Sequence, residues 1–223
     1  PIQTSLKMDV EAFTDLDNTY MLKSVGDDVN FLFKDKRYSA KDFNLIATTK
    51  SDSTMLSLST GDLDMNACVE AGYKKIVESV QRVTHYVENE LSFSSDTIFN
   101  LQECEQMIPA ARISVHGKDK NLLADYLKIN GVTYREANLN LSLDSVYGLN
   151  ARGMILDLEH GKQHLDTARI ALLQDSSALK YFVGVRSRAM NSNEDKATFG
   201  AALYGALTPG ELTTNYVFRD KSD

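Results

Sequence analysis

The sequence predicts an α+β protein built mainly of antiparallel sheets, with a long amphipathic helix and a ferredoxin-like βαββαβ unit at 111–188. Two observations carry this expectation. Short segments alternate apolar and polar residues with period two, the pattern of strands with one wet face. Residues 64–91 instead repeat apolar residues every three or four positions, the pattern of a helix.

The strands come first. "SLKMDVEAF" puts Leu6, Met8, Val10 and Ala12 on one face, against Lys7, Asp9 and Glu11. "TYMLKSVGDDVNFLFK" reads as a hairpin turning at Gly26–Asp27–Asp28. "ARISVHG" alternates Ala111, Ile113 and Val115 against Arg112, Ser114 and His116, and "NLNLSLDS" sets Leu139, Leu141 and Leu143 against Asn138, Asn140 and Ser142. "GMILDLEH" and "TNYVFR" repeat the pattern. Parallel sheets covered on both faces read as unbroken apolar runs, so a doubly wound nucleotide-binding fold is disfavoured.

The helices follow. Asp64 is a candidate N-cap for a helix to about Leu91, in which Val69, Tyr73, Ile76, Val80, Val83 and Val87 form one stripe. That stripe is expected to be core under the chain's own sheet, or else an interface with another chain. Further helices are expected at 96–108, ended by Pro109, at 119–129, ended by Asn130–Gly131, at 163–174, and from Ser192 to before Thr208–Pro209–Gly210. In the last of these, Ala197, Ala201 and Gly205 stand four apart, a spacing that suits close helix packing. With no Gly/Pro/Ser-rich linker, residues 1–223 read as one domain: a β-rich lobe at 1–60, the long helix at 64–91, and an α/β lobe at 96–219.

Composition narrows the function. The net charge of −7 disfavours a phosphate-tracking nucleic-acid surface. Cys68 and Cys104 lack partner spacing and read as buried reduced thiols. No apolar run approaches the ~20 residues that span a bilayer, and "PIQTSLKMD" has no signal-peptide core, so the expected location is the cytoplasm, or a particle assembled there. His160 and His164 in "DLEHGKQH" are expected to lie in a strand-to-helix turn rather than bind a metal, because Gly161 interrupts any shared helix.

"FTDLDNT" resembles the first motif of haloacid-dehalogenase-type phosphatases, "LSLSTG" the second, and "GKDKNLLADYLKINGV" the lysine segment. The resemblance implies a Mg²⁺-dependent phosphatase with Asp15 as nucleophile, Asp17 as proton donor, and Thr60 and Lys120 on the phosphate. The family's last motif supplies Mg²⁺ carboxylates, and Asp144 is the acid near that place. The alternation of Asp9 and Glu11 in the preceding strand points instead to Asp15 and Asp17 as turn residues. The segment from Ile113 to Leu139 is similar to the opening of a glutaredoxin, with Lys118–Asp119–Lys120–Asn121 where that family carries its cysteines. "RGMILDL" resembles a strand of an RNA-recognition motif, but Met154, Ile155 and Leu156 offer no aromatic platform. The sequence thus leads to a non-catalytic structural or assembly protein, such as a viral or phage particle component. It is expected to act through self-association or a partner chain, without cofactor, metal, nucleic acid or membrane; the alternative is the phosphatase.

Overall fold

The computed structural model describes residues 3–14, 19–33, 36–40, 42–92, 107–144, 148–161, 163–175, 177–188, 197–208 and 211–220. They form one antiparallel sheet and two helices. In chain order the elements are β1 (Gln3–Thr14), β2 (Tyr20–Phe33), β3 (Lys36–Ala40), β4 (Phe43–Thr49), β5 (Thr54–Thr60), β6 (Leu63–Val69), α1 (Tyr73–Ser92), β7 (Ala111–Lys118), α2 (Leu122–Ile129), β8 (Val132–Thr133), β9 (Glu136–Asp144), β10 (Gly148–His160), β11 (Gln163–Gln174), β12 (Leu179–Arg188), β13 (Ala197–Thr208) and β14 (Glu211–Asp220). The sheet has fourteen strands, in the order β1-β2-β4-β5-β6-β7-β9-β10-β11-β12-β13-β14, with β3 beside β2 and β8 beside β10.

This corrects the α+β expectation with its long helix and ferredoxin-like unit. Residues 163–174 form β11, paired antiparallel to β10 and β12. Their helix-forming Ala, Leu and Gln are overridden by hydrogen-bonded neighbours on both sides. Residues 197–208 form β13, not a helix. A spacing of four is a multiple of two, so Ala197, Ala201 and Gly205 share a strand face as readily as a helix face. Gly205 is needed there, because a Cβ would stand 1.9 Å from the Thr213 carbonyl oxygen. The predicted helix at 96–108 falls mostly outside the described residues.

The long helix starts late. Residues 63–69 alternate with period two and pair with β5 and β7, so Asp64 caps no helix and Val69 belongs to a strand. α1 begins after Ala71–Gly72, where the chain is moored to the β4–β5 turn. The Thr54 hydroxyl donates to Ala71 O (2.8 Å), and the Tyr73 amide donates to Thr49 Oγ1 (3.0 Å). A Cβ on Gly72 would lie 2.5 Å from Lys50 O, so only glycine permits this approach. Beyond the first turn α1 is not laid across the sheet. Of the predicted stripe, Ile76 and Val83 are half-buried, Tyr73 meets Tyr20 edge-on at 6.1 Å, and Val80 is 60% exposed. The side chain of Val87 lies outside the description. Val80→Asp is therefore expected to change the midpoint of urea unfolding little. A loss of several kcal/mol would show that α1 is covered in solution.

Residues 20–33 form a single strand, not the expected hairpin. Its register against β1 steps from Lys7↔Asp28 to Asp9↔Val25, so Gly26 and Asp27 are spent on a bulge instead of a turn.

Two local devices fix the strand ends. Gly61, at φ +59°, leads a tight β5–β6 turn of the II′ pattern. Asp62 beside it accepts from the Lys118 amide (3.2 Å), the Lys120 amide (3.0 Å) and the Asn121 side chain (2.8 Å). Asn121 in turn caps α2 by accepting from the Ala124 amide at 2.9 Å. At the β11–β12 turn, Asp175 accepts from Lys180 Nζ (2.9 Å), the Ser177 hydroxyl (2.7 Å) and two backbone amides. Lys180 first, then these donors, hold its carboxyl well below the usual carboxylate range. A depressed folded pKa contributes stability above the unfolded value, and that contribution is lost as pH falls through the folded one. Lys180→Ala is expected to raise the Asp175 pKa towards the ordinary value in a carboxyl NMR titration; an unchanged titration would refute the assignment.

Candidate functional site

The register aligns side chains into rows that cross the sheet at right angles to the strands. One row reads Leu45, Leu58, Met65, Val115, Leu139, Gly153, Ile170, Val183, Leu203, Tyr216. Two residues along, on the same face, a second reads Ala47, Leu56, Ala67, Ile113, Leu141, Ala151, Leu172, Tyr181. A third runs from Gly117 through Ala137, Ile155, Ala168, Val185 and Ala201 to Phe218. The opposite face carries Ser57, Asn66, Ser114, Asn140 and Arg152 in one row, and Thr48, Met55, Cys68, Arg112, Ser142 and Asn150 in the next. One side of the sheet is hydrocarbon along these rows; the opposite side is mainly polar from β5 to β10 and mixed beyond, where Ala171, Phe182 and Tyr204 continue the row of Arg152.

Among the described elements the start of α2 stands on the hydrocarbon side at its Gly117 end, where Asn121 lies over the third row, and the rest of that side is uncovered. Every extensive strand contact is between hydrogen-bonded neighbours, α2 packs on β8 and β3, and α1 is held at its start. Among the described residues the buried apolar side chains are Leu63, Ala71, Ala124, Tyr134 and Ala151. The accessible surface is 15495 Å², against roughly 10,000 Å² for a compact monomer of this mass. Exposure along the first row is greatest towards β14, where Ile170, Val183 and Leu203 are each 43% exposed and Tyr216 is 83% exposed. All of β14 is solvent-exposed, and its outer edge has no partner strand among the described residues.

At one end of this face the chemistry changes. Asp157, His164 and Asp166 bring one ligand atom each within 4.8 Å of one another. His164 Nε2 lies 3.7 Å from Asp157 Oδ1, and its Nδ1 lies 4.0 Å from Asp166 Oδ1. Arg135 already pairs with Asp157, whose φ of +50° interrupts the ladder to β11. The Ser187 hydroxyl donates to His164 O at 2.7 Å. His160, which the sequence paired with His164, sits opposite Gln163 in the β10–β11 hairpin and does not join this group. Asp166 follows His164 by two on β11 and so shares its face, which the helical reading of 163–174 hid, whereas Asp157 joins them through the register of β10 on β11.

The phosphatase motifs are spread apart. Asp15 and Asp17 lie outside the described residues, but β1, which leads into them, is an edge strand paired antiparallel to β2. Its last residue, Thr14, is level with Tyr20, Thr49 and Thr54. Thr60 is six residues further along β5 from Thr54, about 20 Å away at the strand rise. The Thr60 hydroxyl is buried, 2% of the residue being exposed. Lys120 stands at the Thr60 end beside Asp62, and Asp144 at the other end of β9. Cys68, expected to be buried, is exposed on the polar face, and Cys104 lies outside the described residues. Among the described residues no helix is long and apolar enough to cross a membrane.

No family model, no curated protein and no solved structure matches this chain.

Proposed function

We propose that this is a non-catalytic binding protein whose apolar sheet face holds the hydrocarbon chains of a lipid-like ligand. The observation that carries the reading is the run of apolar rows over the β4–β14 path, uncovered by the described elements except at the Gly117 end. Ten strands at about 4.8 Å spacing give a strip of roughly 45 Å. Protein partners normally require about one hydrogen bond per 100–200 Å² of interface. The three rows offer few side-chain donors or acceptors: Tyr216 at the β14 border, and Tyr181, whose hydroxyl is already engaged by Thr213 O and Thr214. A ligand without polar groups suits such a surface better than a folded partner does.

The test is binding of a fluorescent fatty acid, with mass spectrometry of organic extracts of the purified protein. Saturable binding, competed by unlabelled fatty acid, is the expected result. Absence of both binding and co-purified lipid would overturn the reading. A second reading, assembly through self-association, draws on the exposed edge strand β14, where Leu212, Tyr216 and Phe218 are 64%, 83% and 61% exposed. Concentration-dependent light scattering abolished by Tyr216→Lys would favour it; a monomer at all concentrations would remove it.

A further inference from the structure

On the face opposite the apolar rows, β11 to β14 line an open depression of about 720 Å³. Arg169, Arg186 and Arg219 line it. Arg186 pairs with Gly200, and Gly200 with Arg219, so a glycine stands between two arginines in one row. Arg186 also pairs with Thr167, which makes Arg169 its diagonal neighbour on the same face. Gly184 completes the floor, and a Cβ there would lie 2.6 Å from the Phe182 ring, which folds over it. Phe182 and Tyr204, partners across β12 and β13, form an aromatic wall with their faces part-exposed. None of the three arginines is in an ion pair among the described residues, where the pairs found are Arg135–Asp157, His164 with Asp157 and Asp166, and Lys180–Asp175. Asp220 also borders the cavity, but it follows Arg219 and so alternates to the other face of β14.

Three unpaired guanidiniums around a side-chain-poor depression are unusual in a chain of net charge −7. Guanidinium forks match the oxygens of phosphate two at a time, and an adjacent aromatic wall receives the less polar body of the same ligand. We propose that this cavity is a binding site for a phosphate-bearing anion, with Arg186 at its centre and Arg169 and Arg219 flanking it. The phosphate is carried either by a free molecule or by a lipid headgroup. The site lies on the face opposite the apolar rows and does not depend on the hydrocarbon-binding reading.

The experiment uses the full chain with two probes: inorganic pyrophosphate by calorimetry, and flotation with phosphatidylcholine vesicles with and without phosphatidic acid. Binding of pyrophosphate alone assigns a free phosphate ligand. Binding only to vesicles that contain phosphatidic acid assigns a headgroup. In either case R186Q is expected to weaken binding about tenfold or more. R112Q, which removes a charge from the same face in a different cavity, is expected to leave binding unchanged. R169Q and R219Q provide the same readout should R186Q fail to fold. Failure of both probes to bind overturns the proposal, and so does a loss in R112Q equal to that in R186Q, which would mark a net-charge effect.

Discussion

Leu141→Asp is expected to abolish fatty-acid binding while leaving the sheet folded. Leu141 sits near the middle of the second apolar row, between Ile113 on β7 and Ala151 on β10. With no ligand bound, an aspartate there can reach water, because no described element packs on the middle of the face. With hydrocarbon bound, the carboxylate is stripped of water at a cost of several kcal/mol, and each 1.4 kcal/mol is about tenfold in affinity. A fall of a hundredfold or more is the expected size. Ile170→Asp, at a more exposed place on the first row, is expected to do the same. Circular dichroism and the binding titration read the two effects separately. Wild-type affinity in a folded Leu141→Asp would place the ligand elsewhere. An unfolded Leu141→Asp together with an unfolded Ile170→Asp would show that the face is closed core and not a ligand surface.

Gly61→Ala is expected to cost more than any other single methyl group added to this chain at a turn. Its φ of +59° strains an L-residue by about 1 kcal/mol. The added Cβ would stand 2.0 Å from the Lys120 carbonyl oxygen, a backbone atom held by the Asp62 bonds, so the clash cannot be relieved by moving a side chain. A loss of at least ~3 kcal/mol is expected, a large part of a typical total of 5–15. Gly131→Ala is the matched comparison. Gly131 has φ +75° but nothing within 4 Å of the added Cβ, so only the strain of about 1 kcal/mol applies. Urea unfolding of both variants separates clash from strain. Equal losses would show that the turn is not seated on the Lys120 loop.

The local patterns identified individual strands better than they identified the sheet. Alternation marked the strands at Ala111–Lys118, Glu136–Asp144 and Glu211–Asp220, because a half-exposed strand shows both faces in its own sequence. It failed at Leu63–Val69, where Met65, Ala67 and Val69 alternate just as cleanly but run into a true helix at Tyr73, four residues after Val69, which drew the helix start backwards. It failed again at β11 and β13, where Ala, Leu and Gly fit either period and only neighbouring strands decide. The sidedness of the whole sheet was beyond reach, because it depends on which residue faces which across every ladder. Leu139 and Ile170 meet through Gly153 only once both registers are fixed. The arginine cavity was hidden for the same reason: Arg169, Arg186 and Arg219 are far apart in sequence and meet through the pairing of four strands.

The nearly sequential strand order has a consequence for how this chain folds and loses structure. Apart from β3 and β8, each strand joins the sheet beside the one formed just before it, so most pairings close short loops. Such an array behaves as a one-dimensional chain of nearest-neighbour couplings, with no central layer whose loss would bring down the rest. Opening is therefore easiest at the borders, with β14 detaching before β13, and interior strands such as β7 and β9 exchange their amide hydrogens last. Growth is equally local. A further hairpin laid against β14 would lengthen the hydrocarbon strip by about 10 Å without altering a contact elsewhere, so the span of such a surface is set by strand number alone.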